Sequence, residues 1–381
     1  MRTAEHQAAC RTPDARNESV WWQRATRHSR KLAQQRLETV ARYRFGDGLL
    51  EIDADGPLLV HELAEQYGEC TAVAGEPEPK SIVRCSVRTS ADGRLALVGF
   101  HEPAKLDAAG IALDLLSHPT ERPLYREREA TAEGWRVIGP SGGGEPVLAA
   151  KLGEVLVDLR QMRPGFLVEL VVTPTLSLQR QLLFIHAAGI GIGAAGTLLI
   201  GPTGTGKTTL SLALAARGHD FFGDDIAAVR LATAELLPFR RTASMRPGPH
   251  ARALADFAAT ECFERATYAD GRPRIAVHVS RQFPASSASP LRLRRAFFLR
   301  QFTELPAVEP FIPTMGAIGS QPSISLNRTL WLTWGTSPGR RLLQFMLFVQ
   351  LLSRIPCAFL DAGTPDATAD LIEHLSEETW V

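Results

Sequence analysis

Apolar and polar residues alternate with different periods along the chain and divide it into three parts. From Trp21 to about Val40, basic residues recur at helical spacing beside a thin apolar side. From 42 to 180, short apolar runs alternate with Gly and Pro, a pattern typical of strands, and only 109–117 has weak helical spacing. The pattern predicts a basic arm or helix over 1–40, a β-rich accessory domain over 41–170 and a second domain over 171–381.

The apolar runs of the middle part are the predicted strands. They are Leu49–Ile52, Leu58–Val60, Ile82–Val87, Leu95–Phe100, Gly134–Ile138 and Gly153–Leu159. A further apolar run begins at Phe166 and is expected to end at Pro174. We place the boundary between the two larger domains near 165–180.

The second domain is predicted to mix strands and helices. Leu182–Ile200 is apolar enough to suggest a membrane span, but it contains His186 and several glycines. Two buried strands joined at Gly191–Gly196 explain it better. Later patterns predict strands at 219–229, 295–300 and 358–360, and helices at 342–352 and 368–377.

The stretch Gly201–Thr208 carries a chemical signature. Two of its glycines are separated by four residues and followed by Lys207 and Thr208, between an apolar strand and a helical pattern. At such a position the loop N–H groups and the helix dipole converge on an anion. The lysine can reach the β- and γ-phosphates and the threonine hydroxyl can bind Mg²⁺. The predicted cofactors are ATP, or another nucleoside triphosphate, and Mg²⁺. The predicted nucleotide-binding residues are Gly201, Pro202, Thr203, Gly204, Thr205, Gly206, Lys207, Thr208 and Thr209.

Three further polar residues are expected near this loop. Asp224 and Asp225 follow Lys207 by 17 and 18 residues, the length of one helix and a return strand. A carboxylate there can hold Mg²⁺ or accept the proton of an attacking hydroxyl. Both can face the nucleotide only if their strand ends or bulges, because adjacent side chains on a strand point to opposite faces. His186 is either a core histidine or a group that touches the γ-phosphate or holds a carboxylate.

Composition narrows the class of protein. The net charge is +1, which gives no reason to expect nucleic-acid binding, although residues 1–45 carry ten Lys and Arg against four Asp and Glu. That segment is either a solvated arm or a contact for an acidic or peptide partner. The five cysteines are scattered without metal-ligand spacing, and no signal peptide opens the chain. We therefore expect a cytoplasmic protein with no membrane partner; a homo-oligomer is compatible with these features.

Three motifs together resemble a known family. His186–Gly189, the loop at Gly201–Thr208 and Gly223–Asp225 resemble, in order and spacing, the core of HPr kinase/phosphorylase. They are more closely similar to the kinase-like relatives of that enzyme found beside peptide-modification genes. The resemblance implies an α/β fold, with a carboxy-terminal P-loop domain of the HPr kinase/PEP carboxykinase type after a smaller mixed or mainly β domain.

The resemblance also implies an activity and residue roles. It implies an ATP-dependent kinase that transfers the γ-phosphoryl group to a Ser-type hydroxyl, on a peptide or protein. Asp224 would be the base, and His186 would support that base or the phosphate. Lys207 would hold the β- and γ-phosphates. The metal would be held by Thr208 and Asp225, and Asp225 can equally assist the base.

Two departures from the family pattern limit this expectation. Ser244-Met245-Arg246-Pro247 stands where the family has Glu-Ile-Arg-Gly, and the signature of the reverse, phosphorolytic reaction is not recognisable. Both argue against a bifunctional regulator of sugar transport. The alternatives are a nucleotide-binding regulatory or scaffold protein without turnover, and a kinase of a small molecule such as free serine. The loop and acidic motif also resemble those of ATP-dependent PEP carboxykinase, which has a much longer chain.

Overall fold

The computed structural model is an α/β protein with several sheets. It describes residues 39–55, 57–73, 75–103, 106–116, 125–130, 134–162, 165–248, 263–267, 273–283, 289–319 and 338–377. The predicted basic arm or helix over 1–40 lies outside these ranges except for its last two residues. Thr39 and Val40 begin a strand instead of ending a helix.

The first unit is an eight-stranded sheet with two helices. Its strands are β1 (Thr39–Phe45), β2 (Gly48–Ala54), β3 (Ser81–Thr89), β4 (Leu95–Glu102), β5 (Tyr125–Ala130), β6 (Arg136–Pro140), β7 (Leu148–Lys151) and β8 (Glu154–Asp158), in the order β1-β2-β3-β4-β8-β7-β6-β5. Its helices are α1 (Pro57–Tyr67) and α2 (Ala108–Leu116). The predicted strand at Leu58–Val60 is wrong, because these residues lie in α1. Strands β2 and β3 pair in parallel, and α1 makes the crossover that a parallel pair needs.

A buried helix, α3 (Phe166–Ser177), follows the first sheet. Pro174 lies inside this helix, so the expectation that it ends the apolar run is wrong. Proline in a helix interior is costly, but α3 is apolar around most of its circumference and its burial outweighs that cost. One core cluster includes α3, Phe45 of the first sheet and Phe184 and Phe239 of the second unit. The two units therefore share apolar packing at the predicted boundary.

The second unit begins with β9 (Leu182–Ile185), β10 (Ala187–Ile192) and β11 (Ala195–Ile200), and α4 (Lys207–Ala216) follows the loop after β11. The next strands are β12 (Asp220–Gly223), β13 (Ala227–Arg230), β14 (Glu235–Leu237), β15 (Ala243–Met245), β16 (Phe263–Thr267) and β17 (Pro273–Val277). After α5 (Val279–Gln282) come β18 (Leu291–Phe302), β19 (Ala307–Phe311), α6 (Met315–Gly319), α7 (Pro338–Leu352), β20 (Cys357–Ala362) and α8 (Pro365–Glu377).

The main sheet of this unit has the order β12-β10-β11-β18-β14-β13-β9, and β20 pairs with β18 and β19. Strands β11, β18 and β20 are parallel, so they end at the same edge. Leu182–Ile200 forms three strands and not the two expected, because β9 pairs with β13 while β10 pairs with β11 and β12. Of the helices in the described ranges, none combines the length and apolarity needed to cross a membrane.

An ion pair links the two units outside the shared core. Asp47, in the turn between β1 and β2, accepts hydrogen bonds from Arg230 of β13 at 2.8 and 3.2 Å. Lys80 lies 2.8 Å from the same carboxylate. The hydrogen bonds from Arg230 hold the pKa of Asp47 well below its usual range, although burial opposes that shift.

We expect Asp47→Asn to lower the free energy of unfolding by about 1.5–3 kcal/mol at neutral pH, the range for hydrogen bonds to charged groups. A carboxylate with a lowered folded-state pKa stabilises the protein above its unfolded pKa, and this contribution is lost as the pH falls. The difference from wild type should therefore shrink below about pH 4 in denaturant titrations. Glu154→Gln, which breaks the more exposed pair with Lys151, is the control and should change stability little. A difference that stays constant down to low pH would contradict the ion-pair explanation.

Candidate nucleotide and catalytic site

The loop between β11 and α4 has the backbone that its glycines predict. Gly204 and Gly206 have φ of 92° and 89°, in the left-handed region that favours glycine, and Gly206 is the N-cap of α4. Thr205 closes the turn, since its hydroxyl donates to the carbonyl oxygen of Pro202 at 2.8 Å. The loop therefore stands at the N-terminus of a ten-residue helix, where backbone N–H groups are open to an anion.

Lys207 is buried at the centre of this loop. Its ammonium donates to the carbonyl oxygens of Gly201 at 2.7 Å and Pro202 at 3.0 Å, and its side chain lies 3.2 Å from Nε2 of His186. Burial lowers the pKa of Lys207, and the negative charges of Asp225 and Asp224 oppose that shift. A positive charge is thus held where the predicted phosphates would lie.

The two carboxylates lie in a break between strands. β12 ends at Gly223 and β13 begins at Ala227, and a Cβ on Gly223 would come within 2.8 Å of two carbonyl oxygens. His186 lies in the matching break between β9 and β10, because Gly189 pairs with Gly223 and Ile185 pairs with Ala227. Two adjacent carboxylates can face one site only where their strand is interrupted. The structure has such an interruption at Asp224 and Asp225. The predicted single strand over 219–229 is therefore two strands.

Asp224 faces the helix that follows the loop. Its Oδ2 accepts a hydrogen bond from the hydroxyl of Thr208 at 3.0 Å, and the residue is only 4% exposed. Its other oxygen, Oδ1, is buried and accepts no hydrogen bond of normal geometry from the described part of the chain. Burial and the charge of the adjacent Asp225 raise the pKa of Asp224 above its usual range.

Asp225 faces His186 and an arginine. Nδ1 of His186 lies 3.1 Å from both the carbonyl oxygen and Oδ1 of Asp225, and Nη1 of Arg241 donates to Oδ2 at 3.1 Å. The side chain of Asp225 is 34% exposed. Burial would raise its pKa, but the hydrogen bond from His186 and the charge of Arg241 outweigh burial and lower it. His186 bridges Asp225 and Lys207, so both of its ring nitrogens meet polar groups of the site.

Sequence reasoning missed three neighbouring side chains. Arg241 lies over the ring of Tyr67 at 5.3 Å, which joins the end of α1 to the carboxylate pair. Arg246 is exposed, and its guanidinium lies 3.8 Å from the position that a Cβ on Gly204 would occupy. The ring of Phe302 lies against Gly206. The sequence signals for the arginines were the Pro- and Arg-rich composition of 238–249 and, for Arg246, its place opposite the Arg of the family's Glu-Ile-Arg-Gly run.

The donor set of the site fits Mg²⁺. Thr208 offers a hydroxyl, and Asp224 offers a carboxylate whose Oδ1 is buried and accepts no hydrogen bond of normal geometry from the described residues. Hard oxygen donors suit this ion, which is usually held by one or two carboxylates together with substrate phosphates. The described ranges contain no group of three or more His, Cys, Asp and Glu side chains that could hold a metal ion by themselves.

Comparison with known proteins adds structural similarity at low sequence identity. No protein-family model matches the chain, and no curated protein matches it. A solved structure of the Hpr(Ser) kinase/phosphatase from Coxiella burnetii aligns with 16% sequence identity over 51% of this chain and 87% of that chain. The TM-score of this alignment is 0.26, too low to support an argument about fold or function.

Proposed function

We propose that this protein is an ATP-dependent kinase that transfers the γ-phosphoryl group to a hydroxyl acceptor. One observation carries the proposal: a glycine-rich loop, a buried lysine, a carboxylate pair and a histidine contact one another at the end of β11. Phosphoryl transfer needs positioned charges and a group that orients the nucleophile. A regulatory or scaffold protein that only binds a nucleotide needs the loop but not the His186–Asp225 pair.

The phosphates would lie over the loop N–H groups, between Lys207 and Arg246. Thr208 and Asp224 would hold Mg²⁺, which when bound neutralises charge on the β- and γ-phosphates. In P-loop proteins the metal is held by the loop Ser or Thr together with an aspartate. The hydrogen bond between Thr208 and Asp224 favours this pairing. We therefore exchange the roles expected from the sequence, in which Asp224 is the base and Asp225 a metal ligand.

Asp225 is the proposed base because it is the more exposed of the two carboxylates. Its side chain is one-third exposed, whereas Asp224 is buried. The acceptor oxygen forms a bond to the γ-phosphorus, the bond from that phosphorus to the β–γ bridging oxygen breaks, and ADP leaves. The hydroxyl proton passes to Asp225, whose carboxylate is oriented by His186 and Arg241.

The acceptor that we propose is a Ser-type hydroxyl on a peptide or protein, with free serine as the alternative. The test is incubation with Mg-ATP and each acceptor class, followed by mass spectrometry for the gain of one phosphate and by an assay for ADP. Phosphorylation that is lost in Lys207→Ala supports the kinase. Tight ATP binding without ADP formation for any acceptor would instead support the regulatory alternative.

His186→Ala should lower kcat by about tenfold or more, toward the range typical of acid–base groups, because Asp225 and Lys207 lose the ring between them. The melting temperature should change little. His219→Ala is the matched control, since His219 pairs with Glu373 at the other end of α4 and should leave kcat unchanged. If His186→Ala lost stability but kept its activity per folded molecule, His186 would be a structural residue only.

A further inference from the structure

Phe302 places an aromatic ring beside the phosphate-binding loop. It is the last residue of β18 and is 62% exposed, while Phe297 and Phe298 of the same strand are buried. A Cβ on Gly206 would lie 3.0 Å from Cζ of the Phe302 ring. The ring therefore lies next to the N-cap of α4, where the absence of a Cβ on Gly206 leaves room for it.

The strand order tells in which direction a bound nucleotide would extend. The carboxylates lie at the end of β12, and β18 is on the opposite side of β11 in the order β12-β10-β11-β18. With its γ-phosphate near Asp224 and Lys207, a nucleotide that follows the loop leaves it on the β18 side. In open α/β sheets, ligands also bind outside the carboxyl ends of parallel strands, and β18 runs parallel to β11 and continues from Phe298, the partner of Ile200, to Phe302 at that end. The exposed ring of Phe302 lies on that path.

We propose that Phe302 is a stacking platform for the nucleobase of the bound nucleotide, an assignment that rests on the proposed nucleotide-dependent function. Every base presents a π-face, so stacking on a phenylalanine contributes affinity without selecting one base. ATP and GTP should both use this platform. The triphosphate part alone should not, because its contacts are with the loop, Lys207 and Arg246.

The test compares three ligands on the full chain: Mg-ATP, Mg-GTP and Mg-tripolyphosphate, by isothermal titration calorimetry. Phe302→Ala should raise the Kd of both nucleotides by about 5- to 150-fold, the effect of removing one stacking partner. The Kd of tripolyphosphate should stay within about twofold. Phe302→Trp should bind both nucleotides at least as tightly as wild type. The matched control is Ile312→Ala, since Ile312 is 80% exposed and follows β19 at the other edge of the sheet.

The remaining outcomes distinguish failure of the nucleobase proposal from failure of the kinase proposal. If Phe302→Ala binds ATP and GTP as wild type does, or weakens tripolyphosphate as strongly as ATP, Phe302 is not a nucleobase platform and the kinase proposal is unaffected. If the wild-type protein binds neither ATP nor tripolyphosphate, both proposals fail together.

Discussion

Lys207→Ala should reduce phosphoryl transfer by about three orders of magnitude or more, because it removes the buried positive charge from the loop. Steady-state kinetics with Mg-ATP and a hydroxyl acceptor that the wild-type protein phosphorylates would measure the loss. Lys207→Arg should not restore activity, since a planar guanidinium does not replace the compact ammonium between two carbonyl oxygens.

The folded state of these variants has to be checked, because Lys207 also holds the carbonyl oxygens of Gly201 and Pro202. Circular dichroism and the melting temperature give that control. A folded Lys207→Ala protein that turns over at close to the wild-type rate would show that the loop does not bind the transferring phosphates.

The second prediction with a large expected effect distinguishes the roles of Asp224 and Asp225. Asp225→Asn should lower kcat by about two to four orders of magnitude with ATP affinity within a few-fold of wild type, because the proposed base is lost while the loop is intact. Asp224→Asn should instead raise the Mg²⁺ concentration needed for half-maximal activity. Thr208→Ala should reproduce that Mg²⁺ effect, since Thr208 and Asp224 share a hydrogen bond.

Magnesium titrations of the three variants decide the assignment. Asp225→Asn leaves Arg241 without its carboxylate partner, so kcat is compared well below the melting temperature of each variant. If Asp224→Asn is the variant that loses turnover at saturating Mg²⁺, while Asp225→Asn shifts the Mg²⁺ requirement, the roles expected from the sequence are correct and the exchange is wrong.

Secondary structure was predictable where one local pattern was sufficient. The strand before the loop, the helix after it and the glycines between them are contiguous, and each has its own signal. The strand predicted at Leu58–Val60 is wrong because three apolar residues fit a strand and a helix equally. The parallel pairing of β2 and β3 requires a crossover, and these residues form its helix. At Pro174 the local rule was overridden by burial of α3 in the core that the two units share.

Local sequence patterns could not predict which side chains converge at the site. Tyr67 and Arg241 are far apart in the sequence, and they meet because the end of α1 packs against the chain that leaves β14. The proposed difference between Asp224 and Asp225 depends on which neighbour each one faces, Thr208 or His186. Those neighbours follow from two matched breaks, between β9 and β10 and between β12 and β13.

By itself the sequence determined the loop and the residue types at the site, because a strand–loop–helix unit is specified by adjacent residues. It also led us to expect two adjacent carboxylates and a histidine near the loop, and it left open whether the histidine is a core residue. Only the tertiary structure decided which partner each of them has, and that Arg246 and Phe302 lie beside Gly204 and Gly206. The physical reason is that these contacts arise from strand pairing across long sequence separations, which no local periodicity encodes.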